Sequence, residues 1–115
     1  PHAIIKVYSM WYLRRESRER LEKVIQIMKQ NPQMTIEIGT HTDRRGNANY
    51  NRELSQKRAN SVKQYLIENG IAKNKVIAKG YGESVPIVKC ESDTSCSEED
   101  HELNRRCEFV IVKWD

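Results

Sequence analysis

The chain has 115 residues, a net charge of +4 and 37% hydrophobic residues, which suffices for one compact domain, expected over residues 1–115. The longest apolar runs are far shorter than the ~20 residues of a membrane-spanning helix, so we expect membrane attachment only through a region outside this chain. The basic stretch 14–20 (RRESRER) interleaves glutamates with arginines and has no aromatic stacking platform beside it, so we expect no nucleic-acid partner.

The first half of the chain predicts a strand, a helix and a second strand. Residues 3–8 (AIIKVY) are rich in β-branched side chains and predict the first strand. Residues 13–30 place apolar side chains on one helical face, and the Asn-Pro pair that follows ends this helix. Residues 34–38 alternate in polarity and predict a half-buried strand that ends at Gly39. A polar turn follows, in which Gly46 suits a positive φ.

The second half predicts a further helix and two more strands. Residues 76–82 (VIAKGYG) form the third strand, residues 83–103 a long irregular segment, and residues 105–114 the fourth strand. The complete order predicts an α+β fold, a two-layer βαβαβ(loop)β sandwich with a mixed sheet and both helices on one face. The last strand is free to pair antiparallel with a neighbour.

The second predicted helix covers residues 50–69 and ends at Gly70, a residue suited to the left-handed C-cap conformation. Leu54 and Val62 lie on its apolar side, yet Arg58 lies squarely between them. Burying a guanidinium group costs several kcal/mol unless an acceptor pairs with it. We therefore expect an acceptor close to this side of the helix.

Asp43 is the expected acceptor, because it lies in the turn that leads into this helix. Helical side chains lean toward the N-terminus, so Arg58 should reach back toward Asn51 on the same face. A carboxylate, an amide and a guanidinium around one crevice could receive a zwitterion, with Asp43 accepting from an ammonium group and Arg58 binding a carboxylate. The spacing alone is equally compatible with a structural ion pair between Asp43 and Arg58.

The three cysteines occupy two different settings. Cys90 and Cys96 lie in the polar segment CESDTSCSEEDHE, whereas Cys107 opens the apolar run CEFVIV. We expect the nearby pair to form a local disulfide in an oxidising compartment and Cys107 to be a buried free thiol. Free thiols, or a metal site that adds His101 or acidic side chains, are the alternatives. The segment lacks the usual ligand spacing of zinc and calcium sites, so we expect no metal.

An enzyme is the rival class of function. His41 and Asp43 lie in or beside the turn, and Ser55 lies nearby in the sequence. The chain has no G-x-S-x-G nucleophile motif, and its histidines, which include His2 and His101, are scattered. We expect His41 to pack at the strand end and bond to the backbone, and we expect neither catalysis nor a cofactor.

Four long motifs occur in a characteristic order: IEIGTHTDRRG, YNRELSQKRANSVKQYL, GIAKNKVIAKGYGESVPIV and NRRCEF. They resemble the OmpA C-terminal domain family (OmpA/Pal/MotB type), which comprises periplasmic peptidoglycan-binding modules of Gram-negative envelope proteins. The resemblance covers about residues 13–109. It implies that the chain is the C-terminal part of a longer envelope protein on the periplasmic side of the outer membrane. Non-catalytic binding that anchors this membrane or protein to the cell wall is the implied function.

The resemblance also implies a set of site residues. In that family, the aspartate of the H-T-D turn and the arginine of the L-S-x-x-R-A helix clasp diaminopimelate in the peptidoglycan stem peptide. These positions correspond here to Asp43 and Arg58, and a ligand-contacting asparagine corresponds to Asn51. The resemblance places Asn104, Arg105 and Arg106 around the same crevice, and we also expect Thr42 and Arg45, in the turn itself, to bind the ligand. The alternative is a protein-interaction module of an envelope lipoprotein or motor stator with weakened cell-wall binding.

Two segments depart from the family pattern. The first, VYSMWYL, carries Ser9 where relatives have an aspartate that can touch the ligand, and it is about two residues shorter. We expect the pocket to bind more weakly than the family norm or with a different selectivity, because a neutral hydroxyl replaces a charged acceptor. The second, CESDTSCSEEDHE, replaces a glycine-rich connection, and its cysteine pair resembles a variant in some branches of the family.

Overall fold

The computed structural model describes residues 4–8 and 15–114 of the chain. Within these residues, helices and strands follow the predicted order, with one additional helix before the last strand. The elements are β1 (Ile4–Tyr8), α1 (Arg15–Gln30), β2 (Met34–His41), α2 (Ala48–Glu68), β3 (Val76–Gly82), α3 (Glu98–Asn104) and β4 (Arg106–Trp114). A 3-10 turn, Lys73–Lys75, precedes β3.

The four described strands form one sheet in the order β1-β4-β2-β3. Strand β4 runs antiparallel to both neighbours, and its residue Phe109 pairs with Ile5 of β1 and with Ile38 of β2. Ile38 also pairs with Ala78 of β3, which runs parallel to β2. The mixed sheet and the antiparallel last strand were both predicted, and the α+β fold is confirmed.

The hydrophobic core lies between α1, α2 and one face of the sheet. Its buried side chains come from all of these elements: Leu21, Val24, Ile25, Met28, Met34, Ile36, Ile38, Val62, Leu66, Ile71, Val76, Cys107 and Phe109. Burying a side chain of this size contributes about 1.5–3 kcal/mol. Because both helices share one set of strand residues, they cover the same face of the sheet, as predicted.

Helix α2 has a defined cap at each end. The Asn47 side chain accepts a hydrogen bond from the Tyr50 backbone N–H and so satisfies a free amide of the first turn. At the other end, Gly70 has a φ of +95°. Its N–H donates to the Ile67 carbonyl, and the Ile71 N–H donates to the Leu66 carbonyl. This Schellman motif confirms the predicted glycine cap.

The first half of α2 lies directly on the backbone of β3. A Cβ atom at Gly80 would lie 2.2 Å from the backbone nitrogen of Gln56, so this contact requires a glycine. The Gln56 side chain accepts from the Gly80 N–H at 2.9 Å and donates to the Ala78 carbonyl at 3.1 Å. Helix α2 and the end of the sheet are thereby held in fixed positions next to the turn that links β2 to α2.

Strand β2 is longer than predicted, because it continues past Gly39 to His41. The prediction ended the strand where its side chains become polar. Both residues beyond Gly39 nevertheless have pairing partners in β3, and Thr40 also pairs with β4. The Thr40 hydroxyl donates to the Ser55 carbonyl on α2, which satisfies a polar group in a buried position.

Helix α3 was not predicted, and the expectation of an irregular segment over residues 83–103 is wrong at its C-terminal end. Ser97 caps this short helix: its hydroxyl accepts from the Asp100 N–H, and the Asp100 carboxylate accepts from the Ser97 N–H. The helix is short and strongly acidic, so it lacks the apolar periodicity that marks longer helices. The capping box was the available signal.

Residues 9–13 of the predicted N-terminal pocket wall, including Ser9, lie outside the described residues, as do Ala3 and Leu13, the predicted starts of the first strand and the first helix. The ligand contact expected at Ser9 therefore stays a prediction. None of the helices within residues 15–114 is both long and apolar enough to cross a lipid bilayer.

Candidate functional site

The candidate site is built around the turn between β2 and α2. The Thr42 N–H donates to the Gly82 carbonyl, and the Thr42 hydroxyl donates to the Asp43 carbonyl. Gly46 has a φ of +89°, which confirms its predicted conformation. Thr42 and Asp43 are both buried, so the turn is fixed at its start.

The Asp43 carboxylate is held by two arginines. Its Oδ1 accepts from the Arg45 backbone N–H, and its Oδ2 accepts from Arg45 Nη2 and Arg105 Nη1, all at 2.8 Å. Burial alone would raise the pKa of Asp43, but hydrogen bonds from Arg45 and Arg105 outweigh it and lower the pKa from 3.8 to about 2. Asp43 is therefore ionised at neutral pH, although its side chain is only 10% exposed.

Glu98, the first residue of α3, joins the same two arginines on their outer side. Its Oε2 accepts from Arg45 Nη1 at 2.9 Å, and its Oε1 accepts from Arg105 Nη2 at 3.0 Å. We call the closed cycle of Asp43, Arg45, Glu98 and Arg105 the charge ring. The hydrogen bonds from Arg45 and Arg105 lower the pKa of Glu98.

Of the charge ring, three members were predicted as site residues, whereas Glu98 was missed. No short-range motif connects Glu98 to the turn, because it lies 53 residues from Arg45 in the sequence. The acidic residues that follow Ser97 mark a helix start, but they do not indicate which arginines lie opposite.

Asn51 lies beneath the turn and is buried. Its Nδ2 donates to the Arg45 carbonyl at 3.0 Å and to Glu83 Oε1 at 3.2 Å, and lies 3.4 Å from the Asp43 carbonyl. The structure therefore brings Asn51 and Asp43 together through the backbone of the turn. In this arrangement, the Asn51 amide holds the loop that presents the Asp43 carboxylate.

Arg58 lies at the edge of the buried face of α2 rather than in its middle. The buried residues of this helix are Asn51, Ser55, Ala59, Val62 and Leu66, whereas Leu54 and Arg58 are half-buried. The expectation that Arg58 lies squarely on the buried side of the helix was therefore too strong. Arg58 follows Asn51 by seven residues, which places it on the same side about 10 Å further along the axis. A direct contact with Asp43 or with a ligand stays a prediction.

Arg106 differs from Arg105 in its surroundings. It is only 3% exposed, its Nη2 donates to the Val85 carbonyl at 2.9 Å, and its Nε lies 3.3 Å from Glu108 Oε2. These contacts attach the residue 83–97 loop to β4. A ligand contact by Arg106 stays a prediction, and it would require this buried side chain to move.

The loop after β3 is tied to the turn by a disulfide and by Arg44. Cys90 and Cys96 are bonded, which confirms the predicted disulfide. Arg44 Nη1 donates to the Cys90 carbonyl at 2.8 Å, and Arg44 Nε donates to Asp93 Oδ1 at 3.0 Å. His101 Nε2 forms a hydrogen bond with the Asp93 carbonyl at 3.0 Å. The loop therefore lies over the turn and brings the start of α3 to the charge ring.

A cleft of about 210 Å³ lies between this loop and the turn. It is lined by Thr42, Arg44, Glu83, Pro86, Val88, Lys89, Cys90 and Asn104. Asn104 fixes its floor: Oδ1 accepts from the Ile87 and Val88 N–H groups, and Nδ2 donates to the Val88 carbonyl. The cleft is smaller than the ~300–1,000 Å³ typical of pockets for drug-sized ligands, so it has room only for a small group.

The residues considered for catalysis have structural contacts instead. His41 stacks on Tyr81 with ring centroids 4.9 Å apart, and its Nδ1 has no hydrogen-bond partner among the described residues, so the expected bond to the backbone is wrong for this atom. Burial, with a further contribution from Arg106, lowers the pKa of His41 to about 4. The Ser55 hydroxyl donates to the Arg52 carbonyl and accepts from the Gly82 N–H.

Cys107 is a free thiol within the core, as predicted. Burial raises the pKa of this thiol, so it remains protonated and unreactive at neutral pH. The described residues contain no group of three or more histidine, cysteine or acidic side chains arranged to hold a metal ion.

Residues 11–99 match the model of the OmpA family. Outer membrane porin F of Pseudomonas fluorescens is 38% identical over 91 residues, which are 79% of this chain and 26% of that protein. The peptidoglycan-associated lipoprotein of Brucella melitensis biotype 1 is 32% identical over 99 residues, which are 86% of this chain and 56% of that protein. The chain thus spans little more than half the length of the second relative and about a quarter of the first.

The fold agrees with these sequence matches. The crystal structure of the peptidoglycan-associated lipoprotein from Burkholderia pseudomallei superposes with a TM-score of 0.76 at 28% sequence identity, and the match covers 92% of this chain and 88% of that chain. The match in sequence extends over the turn, α2 and the loop that form the site. The chain belongs to the OmpA family.

Proposed function

We propose that this chain binds peptidoglycan without degrading it, through the diaminopimelate of the stem peptide, and so anchors an envelope protein to the cell wall. One observation carries the proposal: an ionised, largely buried aspartate lies at the end of a strand with two arginines at its carboxylate. Opposite charges held this close together suit a ligand that itself carries an ammonium group and a carboxylate group on one carbon atom.

The ammonium group of diaminopimelate would bind Asp43. The pKa of this carboxyl, lowered to about 2, means that its charge is present at any pH compatible with growth. The Asp43 Oδ1 bond to the Arg45 backbone N–H and the Oδ2 bonds to Arg45 and Arg105 hold the carboxylate in place while the ammonium group approaches it. A preorganised carboxylate avoids part of the ordering cost of binding.

The carboxylate of diaminopimelate would bind arginine. Arg58 is assigned to this role by its match to the family motif, and Arg45 and Arg105 add positive charge beside Asp43. A stem peptide whose diaminopimelate amine has been converted to an amide by crosslinking loses the cation, and we expect weaker binding to it. Selectivity for uncrosslinked stem peptides follows from this charge requirement.

The names of the relatives support peptidoglycan as the partner and the outer membrane as the location. One is an outer membrane porin, and two are peptidoglycan-associated lipoproteins. We propose that the chain acts on the periplasmic side of the outer membrane, where its Cys90–Cys96 disulfide would be stable.

A sedimentation assay with purified, insoluble cell wall tests the proposal. The wild type should pellet with the wall, whereas Asp43→Asn and Arg58→Ala should lose at least about tenfold in affinity, because each removes a charged partner worth more than ~1.4 kcal/mol. Glu91→Gln is the matched control, since it removes a carboxylate from an exposed residue of the neighbouring loop.

Two results would contradict this function. The first is equal pelleting of the wild type and both site variants. The second is release of soluble muropeptides by the wild type, because it would show that the protein degrades the wall. Cell wall that carries lysine instead of diaminopimelate distinguishes the proposed ligand from general attraction to an acidic polymer.

A further inference from the structure

The two arginines of the charge ring form a receptor for a carboxylate group. Each uses one nitrogen for Asp43 and another for Glu98. The two oxygens of Glu98 are bound by different arginines, at 2.9 and 3.0 Å. A carboxylate bound at both oxygens by a pair of guanidinium groups is the arrangement expected for a ligand carboxylate.

Asp43 and Glu98 differ in how firmly they are held. The Asp43 side chain is 10% exposed and also accepts a backbone N–H, so it is part of the fixed structure. The Glu98 side chain is 64% exposed, and its hydrogen bonds to arginine come from side chains that are themselves 28% and 40% exposed. Exposed ion pairs of this kind contribute little to stability, and their carboxylate exchanges readily with other anions.

We propose that Glu98 acts as a built-in competitor, whose carboxylate occupies the arginine receptor in the free protein and is displaced by a carboxylate of the incoming ligand. The inference rests on the proposed function and assigns to Glu98 a role in setting affinity and selectivity. Arg45 and Arg105 then keep their bonds to Asp43 and exchange only the outer carboxylate. Ligands that carry an ammonium group without a carboxylate do not displace Glu98.

The loop geometry explains why a competitor is present at this position. Glu98 follows the disulfide-bonded Cys96 by two residues, and Ser97 caps the helix between them. Arg44 holds the other end of the disulfide loop through the Cys90 carbonyl. The backbone of Glu98 is therefore fixed next to the arginines while its side chain remains at the surface.

Calorimetric titration of two variants with two small ligands tests this role. The ligands are meso-diaminopimelate and cadaverine, which keeps the two ammonium groups but has no carboxylate. Glu98→Ala should bind diaminopimelate about 3- to 10-fold more tightly than the wild type, because no internal carboxylate has to be displaced. The same variant should show no gain for cadaverine.

Glu99→Ala is the matched control, because it removes the same charge from the next, exposed residue of α3. If both variants gain equally, the effect is a general change in charge and the inference is overturned. Unchanged or weaker diaminopimelate binding by Glu98→Ala overturns it as well, while cell-wall binding that still depends on Asp43 would leave the proposed function standing. If neither the wild type nor Glu98→Ala binds diaminopimelate or cell wall, both proposals fail.

Discussion

Replacing Asp43 by asparagine should lower stability at neutral pH and have about half of that effect at pH 3. The substitution keeps the shape of the side chain and an acceptor for the Arg45 backbone N–H, but it removes the charge that holds Arg45 and Arg105. The substitution therefore isolates the contribution of one carboxylate charge to the stability of the folded state.

The magnitude follows from the shifted pKa. Folding lowers the pKa of Asp43 from 3.8 to about 2, so the unfolded chain binds this proton more tightly than the native state does. The stabilisation is fully present above the unfolded value and is lost as the pH falls through about 2. The difference corresponds to about 2 kcal/mol at neutral pH. Solvent screening at Arg45, which is 40% exposed, reduces the expected value to about 1 kcal/mol.

Urea unfolding followed by circular dichroism provides the measurement. At pH 7, Asp43→Asn should be less stable than the wild type by about 1 kcal/mol, with an unchanged slope against urea. At pH 3, about half of this difference should remain, because this pH lies between the two pKa values of Asp43: its carboxyl is mostly ionised in the native state but mostly protonated in the unfolded chain. Asp93→Asn, which removes one carboxylate of an exposed pair, should change stability by less than about 0.5 kcal/mol.

Equal stabilities of the wild type and Asp43→Asn at pH 7 would refute the reasoning, since the charge ring would then contribute nothing to folding. A difference of the same size at pH 7 and pH 3 would refute it in another way. It would show that the substitution acts through packing or hydrogen bonding rather than through the carboxylate charge.

Two further predictions concern the scaffold of the site. Replacing both Cys90 and Cys96 by serine should cost about 2 kcal/mol of unfolding free energy, because the short loop no longer restricts the unfolded chain; a reductant should shift the urea midpoint of the wild type but not of this variant. Leu66→Ala should cost about 2–5 kcal/mol, because the side chain is 0% exposed in the core. Ile77→Ala, at a residue that is 47% exposed, should change the urea midpoint only slightly, and equal losses for the two would contradict the assigned core.

Much of the scaffold could be predicted because local sequence and tertiary packing agree there. Strand β3 was placed residue for residue, Val76–Gly82, since its β-branched start and glycine end mark both boundaries. The glycine that closes α2 was equally clear, because Gly70 directly follows the last apolar turn of that helix. Strand β2 was cut short because residues 40 and 41 are polar, and only the partners in adjacent strands show that they are buried.

The site was predicted less completely, because its electrostatics depend on contacts between distant segments. Asp43 was identified as the central carboxylate, but its observed partners are Arg45 and Arg105. Which arginine faces inward at the start of β4 depends on the register of that strand, and Arg106 is the buried one. Glu98 reaches the site only because the disulfide loop folds over the turn, which sequence spacing does not specify.

The position of β4 has a consequence for how the chain assembles. It is the last strand in the sequence, yet it lies between β1 and β2 in the sheet. Ile5 therefore has no pairing partner in the sheet until the chain as far as Phe109 can fold onto it. Joining segments so far apart is slow, because the chain loses loop entropy before the contacts form. Until β4 inserts, the edge of β2 that it covers is open to strands of other chains, which favours mispairing and aggregation during this interval.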